Sequence, residues 1–248
     1  ARGGQILADI TKDRKVKSVA ITYTNNDYGK GLADVYEAAV KAHGISVTTV
    51  AAHEDGKADY SAEVATLASA GGDAVAVIGY LDQGGKGIIQ ASLDSGAFDT
   101  FILSDGMIGQ ALVDTFGKGL SKSFGSLPGS TGKGAGVFKT VAGAAGIDSS
   151  GPYTGESYDA AALIVLAIQA GGSADRASIA KNVMAVANGP GKKIYPGQLK
   201  KALDLLGKGK AVDYEGATGV NFTDVGEAVG SFLEKEVKGG KFKTKKQR

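Results

Sequence analysis

The chain has 248 residues, 43% of them hydrophobic and 22% charged, with a net charge of +2. That composition belongs to a globular protein with a sizeable core, or two modest ones, and so small a charge, with no stretch interleaving aromatics and a basic patch, gives no argument for a nucleic-acid partner. The absence of cysteine excludes disulfides, thiol catalysis and Cys-based metal sites. The two histidines, His43 and His53, lie on different elements and give a metal or histidine-based catalytic centre little to work with.

No apolar run approaches ~18 residues, so no segment is expected to span a membrane. The opening "ARGGQILADI" lacks the charged-then-apolar order of a leader, so a targeting segment, if the protein is exported, is expected to be gone already. Residues 16–24, "VKSVAITYT", are apolar and β-branched and predict a buried strand. Residues 29–43 follow as a helix with Leu32, Val35, Tyr36, Ala39 and Val40 on one face and Gly44 as its stop. "ISVTTVAA" is the second strand, and residues 60–70 the next helix, with Asp59 or Ser61 as its cap. "DAVAVIGY" and "TFILSD" are further strands, followed by helices over 83–95 and 108–117, and "SFGSLPG" is a fifth strand.

Repeated strand–helix units of this length predict an α/β fold with a parallel sheet covered on both faces. Right-handed crossovers place every strand's C-terminal end on one edge, and ligands bind outside that edge in open α/β sheets. Tyr28, Tyr80 and Asp105 each lie just past a strand, on this edge. Two aromatic faces and a carboxylate suit a small ammonium-bearing ligand, through cation–π contact and charge-assisted hydrogen bonds. A loop aspartate is also an ordinary helix cap and a tyrosine an ordinary core residue; three such residues on one edge favour the ligand reading.

The pattern changes after Gly129. "GSTGKGAG" does not meet the requirements of a phosphate loop, because Leu127 stands where a glycine is needed and Gly134 where a hydroxyl residue must follow Lys133. It reads as a hinge between lobes. No Gly-x-Ser-x-Gly elbow is present, which counts against a serine hydrolase. Helices are expected over 137–145, 155–170, 177–186 and 198–206, with no strand between them. "ATGVNFT" and "SFLEKEVK" then return as strands around a "DVGE" turn, and the Lys-rich end, "KGGKFKTKKQR", reads as a frayed, solvated tail.

The blocks "VAITYTNNDYGKGLADVYEAAVKAHGISV", "DYSAEVATLASAGGDAVAVIGYLDQGGKGIIQAS", "FILSDGM" and "YTGESYDAAALIVLAIQAGG" together resemble the type I periplasmic solute-binding proteins, within them the leucine/isoleucine/valine-binding family. The resemblance implies two Rossmann-like lobes joined by a hinge, with ligand held between them and delivered to the permease of an ABC importer. It implies a non-catalytic, periplasmic protein that needs no cofactor, inserts in no membrane and takes an amino acid or similar ligand. A receptor or regulator domain of the same fold is the alternative, and an α/β enzyme a more distant one.

On this reading residues 1–129 form the second lobe, 130–216 the returning helical half of the first lobe, and 217–248 a final hairpin back in the second. The family's opening segment, which holds the ligand's carboxylate, has no counterpart, so the first lobe is expected to be incomplete. A separate N-terminal fragment is then an expected partner, and the apolar face of Leu163, Ile164, Leu166 and Ala167 is expected to be exposed. Residue by residue, the resemblance carries Tyr28 and Tyr80 over as pocket aromatics and Asp105 as the acid that meets the ligand's ammonium, here Asp where the family has Glu. Gly155 stands where the family places a bulky side wall, which implies room for a larger or more polar ligand, and the adjacent Glu156 is a candidate contact.

Overall fold

A computed structural model describes residues 2–248. The chain divides into two units: one holds the residues up to Leu127 with Phe232–Lys246 and Arg248, the other Pro128–Ser231 with Gln247.

The first unit begins with a helix that the opening residues do not advertise, α1 (Arg2–Asp13), which buries Leu7, Ala8, Ile10 and Thr11. Glycines at 3 and 4 lower its intrinsic propensity, but packing decides. A Cβ on Gly4 would lie 2.9 Å from the Val35 side chain, so the missing side chain lets α1 close on α2 (Asp27–Ala42). The Thr11 hydroxyl, itself donating to the Leu7 carbonyl at 2.8 Å, lies 3.0 Å from the buried Tyr36 hydroxyl across that interface.

The expected strands form as β1 (Ser18–Thr24), β2 (Ser46–His53), β3 (Ala74–Ile78), β4 (Phe101–Leu103) and β5 (Phe124–Pro128). They pair in parallel in the order β2-β1-β3-β4-β5. Alternation along the buried strands divides the core: Val75 and Val77 face the cluster under α3 (Ser61–Ala70), α4 (Lys86–Ser95) and α5 (Gln110–Phe116), while Ala74, Ala76 and Ile78 face the cluster under α1 and α2. The N-cap position of α3 is Tyr60, not Asp59 or Ser61, and carries no side-chain cap; Asp59, one residue earlier, accepts from the Ser61 amide at 2.9 Å in a local turn. The helix expected over 83–95 is preceded by a π-turn, Leu81–Gly85, which redirects the chain directly after Tyr80.

The Lys-rich end is not a frayed tail. β8 (Phe232–Val237) and β9 (Phe242–Gln247) extend the sheet beyond β5. Phe232 and Arg248 exchange both backbone hydrogen bonds, at 3.0 and 2.7 Å, as an antiparallel pair does. Ordering comes from a buried ionic cluster: Glu234, with no exposed side-chain surface, pairs at 2.8 Å with Arg14 and at 2.6 Å with Arg248, which also meets Asp13. The alternation of charge and apolarity hides this arrangement, because the anchoring acid lies inside a basic segment.

In the second unit the helices are α6 (Lys133–Ala144), α7 (Thr154–Gly171), α8 (Arg176–Ala187) and α9 (Leu199–Leu206). The expectation of no strand between them is corrected: β6 (Lys192–Ile194) and β7 (Val212–Tyr214) form a parallel pair. At three residues each, they carry too little period-two pattern to be read. Their presence changes the fate of α7. Leu163, Leu166 and Ala167 are buried among Val186, Ile194, Ala202 and Tyr214; of the expected exposed set, Ile164 alone is open, at 47%, beside Val165 at 39%.

"ATGVNFT" is also corrected, from strand to turn. The buried Asp159 carboxylate accepts from the Tyr214 hydroxyl and the Ala217 and Thr218 amides at 2.8–2.9 Å, and from the Thr218 hydroxyl at 2.7 Å. These bonds pin the chain into a loop, and Phe222 makes only an isolated bridge to Ala228. The hairpin read from 217 onward therefore begins at Phe232.

Candidate functional site

Three strand ends of the first unit build the site. Beyond β1, Asn26 adopts extended backbone and its side chain accepts from the Gly29 amide at 2.9 Å, capping α2. This starts the helix at once and places Tyr28 in its first turn. Gly29 is required: a Cβ there would sit 2.1 Å from the Thr24 carbonyl oxygen, so only glycine allows the helix start to lie against the strand end.

Beyond β3 the chain runs through Gly79 to Tyr80, and beyond β4 through Ser104 to Asp105, the first residue of a 3₁₀ turn. A Cβ on Gly106 would lie 2.4 Å from the Gly79 carbonyl oxygen and 3.3 Å from the Tyr80 ring, so these two loops approach through a glycine. Buried Ser104 accepts from the Gly79 amide at 3.2 Å, tying the β3 and β4 ends together.

These constraints bring the three predicted residues into one cluster. The Tyr28 and Tyr80 rings stack with centroids 5.1 Å apart and planes 26° from parallel. The Tyr28 hydroxyl donates to Asp105 Oδ1 at 2.6 Å and lies 3.3 Å from Ser104 Oγ. Burial, then the charge of Asp105 and its hydrogen bond, push the Tyr28 phenol well above its ordinary range. Tyr28 is therefore a donor to Asp105, and all three side chains are half-buried at the sheet edge. Chemically, this is a two-ring aromatic wall beside an oriented acid. Asp105 opens a 3₁₀ turn and accepts a hydrogen bond from the Tyr28 phenol.

Glu156 belongs to the second unit, in the first turn of α7, where burial pushes its carboxyl upward. A Cβ on Gly155 would meet the Ala217 and Thr218 side chains at 3.4 Å, because the Asp159-pinned loop packs against the start of α7.

Sequence reasoning missed Ser104, Gly29, Gly79 and Gly106. Ser104 directly precedes Asp105 in "LSDG", and the glycines flank the tyrosines in "DYG" and "IGY", but their roles depend on approaches between distant segments. His53 belongs to the support of this edge. It is buried, with Nδ1 2.8 Å from Thr22 Oγ1, and Nε2 faces the backbone of Gly79, where a Cβ would come within 3.3 Å. Burial lowers its pKa, partly opposed by Asp55, Glu63 and Glu54.

A family model described as "Periplasmic binding protein" matches residues 2–194. Leu/Ile/Val-binding protein homolog 1 of Brucella melitensis is 31% identical over 181 residues, 72% of this chain and 47% of that protein. The chemotactic signal transduction system substrate-binding protein BasB of Halobacterium salinarum is 39% identical over 83 residues, 33% of this chain and 20% of that protein. The chain thus spans less than half the length of these curated relatives. Among solved structures, LivJ of Streptococcus pneumoniae, a branched-chain amino acid transporter substrate-binding protein in complex with isoleucine, aligns over 99% of this chain and 64% of that one, at TM-score 0.73 and 18% identity. An R. palustris ABC-transporter solute-binding protein in complex with 4-hydroxybenzoate aligns over 100% of this chain and 64% of that one, at TM-score 0.76 and 15% identity. With the family model covering most of the chain and the parallel α/β sheet in place, this chain belongs to the periplasmic binding proteins of type I fold, in the leucine/isoleucine/valine-binding group.

Proposed function

We propose that the protein captures an amino acid, or a similar small ammonium-bearing solute, and delivers it to the permease of an ABC importer in the periplasm, without catalysis. The observation that carries this is the Tyr28–Asp105 hydrogen bond beside the Tyr28–Tyr80 stack. An acid oriented by a phenol suits a cation, and two rings supply the faces that an ammonium and its apolar neighbour prefer. The same acid disfavours an aromatic carboxylate of the kind bound by the R. palustris neighbour. A further polypeptide segment that completes the first lobe and holds the ligand's carboxylate is part of this proposal, and Glu156 is proposed as a contact from the second unit.

Calorimetry against a panel of amino acids, their deaminated acids and nucleotides tests it. Amino acids bind and the deaminated acids do not; equal binding of both defeats the ammonium assignment, and binding of nucleotides with turnover defeats the whole reading. The likeness to BasB supports a second reading, in which the same capture feeds a chemotaxis receptor. Pull-down by a receptor ectodomain, with no rescue of uptake in a strain that keeps the permease but lacks its binding protein, would favour it.

A further inference from the structure

The net charge of +2 hides a division along the chain. Residues 12–17 and 232–248 together carry eleven basic and three acidic side chains, a surplus of eight; the rest of the chain carries seventeen basic and twenty-three acidic, a deficit of six. The two segments are joined in space. Arg14 pairs with Glu234 and Glu236, and Arg248 and Lys246 pair with Asp13. The acids are thus consumed in holding the segments together, and both arginines are consumed with them.

What remains outward is lysine. Lys12, Lys15, Lys238, Lys241 and Lys243 are exposed and form no ion pair among the described residues. Protection of a sheet edge against pairing accounts for lysines along β9. It does not account for Lys12 and Lys15 at the end of α1, or for Lys238 and Lys241 in the hairpin turn.

We propose that this basic end of the first unit is a docking surface for anionic phospholipid headgroups, holding the protein against a membrane without insertion. Lysine is a compact, strongly hydrated point charge suited to a diffuse field of phosphates, whereas specific carboxylate recognition on a protein partner favours the planar fork of arginine. Here both arginines are turned into the ionic cluster, while Lys12, Lys15, Lys238, Lys241 and Lys243 face outward. No helix among the described residues is long and apolar enough to cross a bilayer. The surface shares no residue with the Tyr28 cluster, and the two proposals stand or fall separately.

Co-sedimentation with vesicles of one part phosphatidylglycerol to two parts phosphatidylcholine tests it, with pure phosphatidylcholine as the neutral control. The protein partitions onto the anionic vesicles only, and raising salt to about 0.5 M releases it as the Debye length shrinks. The combined variant Lys238→Glu, Lys241→Glu, Lys243→Glu, on exposed turn and strand positions, weakens partition at least about a hundredfold, at roughly fivefold per lysine, with an unchanged circular dichroism spectrum. Absence of partition at low salt overturns the proposal. So does partition that the triple variant retains, or preference for poly-glutamate over the vesicles, which would assign the surface to an acidic protein.

Discussion

Replacing Asp105 with asparagine separates charge from shape at the candidate site. The amide oxygen keeps an acceptor for the Tyr28 hydroxyl at the position that now lies 2.6 Å away, and the stacked rings do not depend on the charge. Fold stability should therefore change by no more than about 1 kcal/mol, the difference between a charge-assisted and a neutral hydrogen bond on a half-buried group. A ligand ammonium loses much more. Truncating one partner of a buried charged pair costs ~2–5 kcal/mol, and because the amide still offers an oxygen the lower half applies, about 2–3 kcal/mol or roughly 30- to 150-fold in Kd. Isothermal calorimetry on the complete protein measures this. A second readout is internal to the chain: the negative charge of Asp105 helps hold the Tyr28 phenol up, so in Asp105→Asn the phenol ionises at lower pH in an ultraviolet absorbance titration. Unchanged affinity for every amino acid that the parent binds refutes the ligand role, and an unchanged phenol titration refutes the electrostatic coupling.

Gly29→Ala places a methyl 2.1 Å from the Thr24 carbonyl oxygen and should cost ~1–3 kcal/mol, read as a lower denaturation midpoint at constant m-value. Glu234→Gln leaves Arg14 and Arg248 without their shared carboxylate in a buried cluster; ~3 kcal/mol of destabilisation is expected by chemical denaturation, and a loss under 1 kcal/mol would show that the hairpin is held by packing alone. Burial lowers the pKa of His53, so the unfolded chain takes up this proton first: stability is full above the ordinary histidine value of about 6.5 and falls as pH drops below it. Thermal unfolding between about pH 5 and 7.5 should show this slope in the parent and a flatter one in His53→Gln. Parallel curves would contradict it. Tyr80→Ala removes one ring of the stack and should weaken amino-acid binding about tenfold by calorimetry while Asp105 keeps its phenol donor.

The parallel lobe was legible from residues alone because each of its strands is a short apolar run closed by a turn and followed by a helical period. That local regularity, with the handedness of crossovers, is enough to send Tyr28, Tyr80 and Asp105 to one edge before any coordinates are known. What it could not supply is distance. The 5.1 Å stack and the 2.6 Å hydrogen bond depend on Gly29 and Gly106 permitting backbone approaches, and on Ser104 bonding to Gly79 across 25 residues of chain. Where the local signal misled, the cause was a long-range partner. The Lys-rich end looks like solvated tail until Arg14, more than two hundred residues earlier in the chain, meets Glu234. Residues 217–223 look like strand until Asp159 collects their amides. β6 and β7 are too short to show a period and exist through each other. Sequence by itself determined the class of fold and the edge on which Tyr28, Tyr80 and Asp105 gather, since these follow from local periodicity and chirality. Tertiary structure alone decided which side chains touch, which acid is buried and which lysines face outward, because those depend on contacts between segments that no local pattern encodes.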